Sequence, residues 1–254
     1  MFRVRLSYLG MRKFFEFGKI SEIDVSAERT WSGDRLFLTF DIDWANDEVI
    51  ADTHRLLSES HASATFFATH ESPEIKALCE DENLEVGLHP NFNNILDGST
   101  LNGNSNKIIS DLKLIIPEAK SVRSHSTTFS SVLCSSFAKQ GLTHDVNYFI
   151  PDFSEVDLKP WLNCLGITMV PYFWEDDVAC IDPNVNGVPS LVRRQGIKVF
   201  DFHPIHVFLN TESLDRYERT RPLHQNPEEL IKHRFEGYGT RSRLLELLEM
   251  VSPL

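Results

Sequence analysis

Two aspartates one residue apart, Asp41 and Asp43, stand directly after the apolar, strand-prone run "LFLTF" in "LFLTFDIDWAND". Alternate side chains of a strand share a face, so both carboxylates point one way while Ile42 and Trp44 point the other. Two negative charges this close are unfavourable in a low-dielectric cleft unless a cation lies between them or one carboxyl keeps a proton. The pair therefore points to a metal site or a tuned acid and base, against the plainer alternative of a polar strand end with Asp47 capping the next helix. Three other apolar segments end in histidine. "LEVGLHPN" puts His89 on the face of Glu85 and Gly87, "SVRSHS" puts Arg123 and His125 together, and "VFDFHPIH" puts Asp201 and His203 together with Phe200 and Phe202 opposite. One such histidine is ordinary. Three beside an Asp-x-Asp are a ligand set for zinc or a similar ion, with a position left for water.

The elements that must carry these residues alternate. Seven short apolar segments, "RLFLTFDI", "ASATFFAT", "LEVGLH", "KSVRSH", "LTHDVNYF", "ITMVPYFW" and "IKVFDFH", read as strands, with helix-like stretches between them. In "NDEVIADTHRLLSES", Val49, Ile50, Leu56 and Leu57 have helical spacing behind an Asn46 or Asp47 cap; "SPEIKALCE" and "NKIISDLKLII" fill the same role, and "SSVLCSSFAKQ" ends at Gly141. This β-then-α repetition predicts a parallel barrel or a doubly wound sheet, both of which place ligands at the carboxyl ends of the strands. The Asn- and Gly-rich segment 90–106 reads as a long loop beside the site, "LNTESLDRYERTRPLHQNPEEL" as a polar excursion, and "RSRLLELLEMV" as a terminal helix. Residues 1–34 are expected to form an N-terminal extension, and 35–254 one barrel.

With 37 acidic against 25 basic residues in 254, the net charge of −12 disfavours nucleic acid and anionic lipid surfaces, and no basic patch or glycine-rich phosphate loop offsets it. Four scattered cysteines without a CxxC pair indicate buried free thiols. No apolar run is long enough for a transmembrane segment, and a cytoplasmic location is expected. Oligomeric state is not legible.

As an ordered set, "LTFDID", "GLHPNFN", "VRSHS", "PYFWEDD" and "VFDFHPIH" resemble the motifs of the polysaccharide deacetylases, the NodB-homology or family 4 carbohydrate esterases, and more narrowly the WbmS-like branch. The resemblance runs from about Leu36 to Asn210 and implies an α/β fold, the distorted (β/α)7 barrel of the NodB type. It also implies a divalent metal ion, zinc above others, held by one Asp and two His. Asp41 matches the catalytic base and Asp43 the metal-binding aspartate, although the family places the two side by side without an intervening Ile42. His89 matches the first histidine of the family's His-x-x-x-His, but Asn93 stands where the second belongs, so the third ligand is either the Asn93 amide oxygen, weaker and harder than imidazole, or His125 from a nearby segment. Arg123 matches the arginine that orients the base, Asp176 or Asp177 its acidic partner, and His203 the general acid. His206, one turn on, either assists at the substrate or is simply exposed. Trp44, Phe92, Tyr172, Phe173 and Trp174 read as a sugar platform or as core.

The implied activity is metal-dependent hydrolysis of an N-acyl group, acetyl first, on a small-molecule sugar or sugar nucleotide of bacterial surface-polysaccharide biosynthesis. A non-catalytic carbohydrate-binding protein on a degenerate barrel is the competing reading, motivated by Asn93. An amidohydrolase of a cyclic amide is a third, because "HPIH" resembles the "HPWE" of allantoinase-type relatives.

Overall fold

Each of the seven apolar segments forms a strand in the computed structural model, which describes residues 15–97, 104–182 and 186–250. They are β2 (Arg35–Asp41), β3 (Ala64–Ala68), β4 (Leu84–Leu88), β5 (Ser121–Val122), β6 (His144–Phe149), β8 (Thr168–Tyr172) and β10 (Val199–Phe202). Three two-residue strands join them: β1 (Glu16–Phe17), β7 (Trp161–Leu162) and β9 (Trp174–Glu175). The order is β7-β8-β6-β5-β4-β3-β2-β10-β9, with β1 alongside β2. All pairings are parallel except that of β7 with β8. Only Phe173 separates β8, which pairs with β6, from β9, which pairs with β10. That extended run carries one end of the sheet round to the other, giving the distorted barrel expected for this family resemblance.

Helices α1 (Asp47–Glu59), α2 (Pro73–Glu80), α4 (Ser105–Ile115) and α5 (Ser131–Lys139) follow β2 to β5, with a single turn α3 (Asn93–Leu96) ahead of α4. After β6 the chain makes the β7–β8 hairpin instead of a helix. Then come α6 (Asp176–Ile181), α7 (Val188–Leu191), α8 (Pro204–Leu209), α9 (Leu214–Thr220), α10 (Pro227–Leu230) and α11 (Thr240–Leu248). Local chemistry accounts for the helix starts. Asn46 Oδ1 accepts from Glu48 N–H at 2.9 Å ahead of α1, and Ser72 caps α2 with Pro73 in its first turn. Val49, Ile50, Leu56 and Leu57 are the buried stripe of α1, and Gly141, at φ +76°, turns the chain after α5.

Strands covered by helices on one face and closed into a barrel on the other bury both, so β2 and β3 read as almost continuous apolar runs. Leu36, Leu38 and Phe40 face the helices, where Phe40 stacks on Phe66 at 4.7 Å and lies 5.7 Å from Phe202. Inside, register aligns Glu85, Thr65, Thr39, Asp201 and Glu175 in one polar row across β4, β3, β2, β10 and β9. The amino end of the barrel is floored by residues 19–23. Ile20 N–H donates to Thr65 Oγ1 (3.0 Å), Ser21 N–H to Glu85 Oε2 (2.8 Å), and His144 Nε2 meets Ile23 O (3.0 Å). Ile20 and Ile23 are buried beneath the interior. Of the thiols, all free, only Cys134 is fully buried; Cys79 and Cys164 are exposed, contrary to the expectation of four buried cysteines.

Candidate active site

The strand ends deliver their polar residues to one cleft, but through turns and not through the strand pleat. β2 stops at Asp41, and Asp43 and Trp44 follow at φ 40° and 57°, in the left-handed region where side chains strain the backbone. His125 likewise lies past β5, in a short turn whose Ser126 and Thr127 have φ 54° and 48°. The face-sharing expected from alternation along a strand therefore fails for Asp43 and for His125, yet both arrive at the site. His89 leaves β4 with its N–H on Ala68 O at 2.8 Å, and His203 leaves β10 at the N-terminus of α8.

Asp43, His89 and His125 converge. Asp43 Oδ1 is 3.1 Å from His89 Nε2 and 2.9 Å from His125 Nδ1, and the two nitrogens are 3.4 Å apart. If both nitrogens donated to that one oxygen, two N–H groups would crowd each other, whereas a tetrahedron with ~2.1 Å bonds has edges of about 3.4 Å. The donor set therefore fits a zinc-like ion. The other nitrogen of His89, Nδ1, is buried and unpartnered by hydrogen bond, 3.6 Å from Asp41 Oδ2. Burial opposes the charge on Asp43, but hydrogen bonds from His125 and His89 and the charge of His203 hold its carboxyl well below the usual range. Asn93 opens α3, its N–H on Asn91 Oδ1 at 2.8 Å; the third donor beside Asp43 and His89 is His125.

Arg123 is entirely buried and locks Asp41. Its Nη1 donates to Asp41 Oδ1 at 3.0 Å and also to Asp201 Oδ1, Nη2 donates to Thr39 Oγ1 (2.9 Å), and Nε to Val146 O (3.2 Å). The guanidinium lies between the rings of Phe67 and Tyr172, 4.8 and 4.4 Å from their centroids. Gly87 makes room, since a Cβ there would sit 2.4 Å from Ser121 Oγ and 2.9 Å from Phe67. One cation faces two carboxyls, and burial together with the charge on Asp41 pushes Asp201 well above the carboxylate range despite Arg123. The acidic partner of Arg123 is thus Asp201, not the expected Asp176 or Asp177.

Asp176 serves His203 instead. Its two oxygens take His203 Nδ1 and His203 N–H, both at 2.7 Å, which turns Nε2 to the cleft, 3.7 Å from Asp43 Oδ2. Burial opposes protonation of His203, but Asp176, then Asp177 and Asp43, raise it well above its ordinary value and so favour the charged ring. Glu175, at the end of the polar row, is pushed to about 7 by burial and by the neighbouring Asp177 and Asp176.

The aromatic expectations divide. Trp44 is 43% exposed and stands edge-on to His125, while Phe92, Tyr172, Phe173 and Trp174 are buried; Trp174 packs on Phe202 at 4.8 Å. Phe92 and Trp174 are core, not a sugar platform: Phe92 is buried just past β4 at the start of α3, and the closing run β8–β9 turns Trp174 inward. His206 is buried as well, its Nε2 2.7 Å from Asp177 Oδ1, and is not the exposed residue its place on a polar turn suggested. Asp201 and Thr39, two residues before His203 and Asp41, were signalled by strand alternation; Tyr172 and Phe67, which sandwich Arg123, carry no local signal.

The profile of the WbmS-like polysaccharide deacetylases matches residues 38–221. The chain belongs to that family. Its motifs, from the Asp41 strand to the His203 turn, all fall within the matched span. A crystal structure of a candidate polysaccharide deacetylase involved in O-antigen biosynthesis from Bordetella bronchiseptica is 40% identical, covers 92% of this chain and 97% of that one, and superposes with a TM-score of 0.85. A CE4 family pseudoenzyme of Bacillus anthracis is far more distant, at 16% identity over 85% of this chain and 66% of that one, with a TM-score of 0.38. Among curated proteins none matches.

Proposed function

We propose that this protein is a zinc-dependent N-deacylase that removes an acyl group, acetyl above others, from an N-acylated sugar or sugar nucleotide in bacterial surface-polysaccharide biosynthesis. The observation that carries this reading is the meeting, in one cleft, of a carboxylate and two imidazoles at ligand distances with a separately held aspartate and a separately held third imidazole. Membership of the deacetylase family and the likeness to the Bordetella protein support it.

Asp43, His89 and His125 would hold the ion. A divalent cation held there would supply Lewis acidity, making a water easier to deprotonate and the amide carbonyl more electrophilic. Asp41, fixed by Arg123, accepts a proton from the attacking water. His203, already protonated and aimed by Asp176, gives its proton to the departing nitrogen, so that water and amide leave as carboxylate and amine. The binding-protein reading drew on Asn93; the position of His125 beside Asp43 and His89 supports the enzyme reading over it.

Zinc content and amine release over a panel of N-acylated sugar nucleotides test this together. Asp41→Asn is expected to keep about one zinc per chain and lose turnover by 100-fold or more, while His89→Ala loses both. Full turnover by Asp41→Asn would remove the assigned base, and purified wild-type protein that neither binds zinc nor releases amine would return the chain to a binding role.

A further inference from the structure

Around His203 lies a second polar group, two of whose members, Asp177 and His206, have no part in the mechanism above. Oxygens of Asp176 and Asp177 and nitrogens of His203 and His206 lie within 4.8 Å of one another. Asp176 is consumed by His203 and is wholly buried, but the Asp177 side chain is 42% exposed. It is held from behind by His206, which is itself 2% exposed and bonded through Nε2 at 2.7 Å. His206 is in turn braced by rings: His203 at 5.7 Å on one side and Tyr217 at 4.8 Å, tilted 31°, on the other, with His224 4.8 Å beyond Tyr217. Tyr217 belongs to α9, in the polar excursion after α8. That excursion reaches back over the site, because Gln225 Nε2 donates to Trp44 O at 3.2 Å. The phenol of Tyr217 feels the charges of Asp43, Asp177 and His203, and Asp177 is held ionised, at about 2, by His206 and His203 against its burial.

A held, partly exposed carboxylate beside the proton-donating histidine, with a tyrosine ring stacked on the histidine that holds it, has the makings of a receptor for hydroxyl groups. A carboxylate accepts two hydrogen bonds from adjacent hydroxyls and a phenol offers one more, and such charge-assisted bonds are stronger than neutral ones. We infer that Asp177 and Tyr217 form the subsite that binds the ring hydroxyls of the sugar bearing the acylamino group, with His206 as the positioning residue that aims Asp177. This rests on the N-deacylase reading and adds to it the side from which the sugar is gripped. The α9 excursion is then the wall that makes the enzyme selective for a sugar over a bare amide.

The test is binding, followed by saturation-transfer NMR on the zinc-loaded full chain, with UDP-N-acetylglucosamine and UDP-N-acetylgalactosamine as probes. Asp177→Asn is expected to weaken binding of the better probe about tenfold, and Tyr217→Phe, which keeps the ring stack, about threefold, with zinc content and melting temperature as in wild type. Equal binding by wild type and both variants overturns the subsite and leaves the proposed function standing. Failure of wild type to bind either probe overturns the subsite, and the proposed function falls with it only if zinc binding and amine release across the panel are also absent. A second equivalent of zinc in wild type that Asp177→Asn abolishes would reassign the group to a cation and also overturn the subsite.

Discussion

His203 and Asp176 show how one residue's chemistry is set by its partner. A buried imidazole ordinarily loses its charge to desolvation, and here a bidentate carboxylate reverses that outcome. An acid raised in this way keeps its proton to higher pH, so the alkaline limb of turnover lies above the ordinary histidine range. Asp176→Asn removes the largest raising influence. It is expected to move that limb down by a pH unit or more and to lower kcat about 10- to 100-fold, read from a pH–rate profile of amine release. A limb that stays in place would show that His203 is not the group titrating there. Asp41 differs in kind, since Arg123 serves it as a clamp, with two aromatic faces and three further acceptors, Asp201, Thr39 and Val146, fixing the guanidinium. The neighbouring Asp201, raised by burial, lets a single buried cation face two carboxyls without a net negative charge.

At the scale of elements, the turns after β2 and β5 carry Asp43 and His125, two of the three proposed ion ligands, and β6 supports the second turn. Asp145 Oδ1 accepts from Asn147 N–H and Nδ2 at 3.0 and 2.7 Å, and Asn147 Oδ1 accepts from Ser124 N–H at 2.8 Å, one residue before His125. Asp145 is wholly buried and its Oδ2 has no hydrogen-bond partner, so desolvation lifts it from 3.8 to about 6 despite the Asn147 bonds. The folded protein therefore takes up a proton at this site between pH ~4 and ~6. Its stabilising share is complete below pH ~4, declines as pH rises to ~6 and is flat beyond. Asp145→Asn should abolish that decline, so that the variant's stability relative to wild type improves by about 2–3 kcal/mol between pH 4 and pH 8 in urea unfolding. A difference independent of pH would mean that Asp145 is ionised throughout. A second tie between elements is Asp52 of α1, buried among Arg55, Arg234 and Arg241, which fastens α11 and the end of the α9–α10 excursion to the first helix.

For the whole molecule, the barrel is closed at one end by residues 19–23 and open at the other, where every candidate catalytic group gathers. Ile20 has no exposed surface, and its N–H occupies a barrel-interior hydroxyl, so residues 19–23 pack as part of the core, while residues 1–14 of the expected extension lie outside the described residues. Ile20→Ala is expected to cost about 2–4 kcal/mol, measured by urea unfolding with metal held constant; a cost under about 1 kcal/mol would mean that the floor is detachable. The strands were legible because burial on both faces demands unbroken apolar runs, and the capping residues Asn46, Ser72 and Gly141 bound the helices by local hydrogen bonding and backbone freedom. Asp41, His89, Arg123 and His203 were legible because they stand at or just past the ends of those runs. Long-range partnerships were not. That Arg123 answers to Asp201 and not Asp176, that Trp174 and Phe92 are core, that His206 is buried against Asp177, and that Tyr217 approaches the site all depend on which elements become neighbours in the folded chain. Periodicity and chemical type are written along the chain, because they reflect how each segment meets water and its own backbone; pairings across 78 residues of sequence, as between Arg123 and Asp201, exist only once the closed sheet sets both side chains in one small volume.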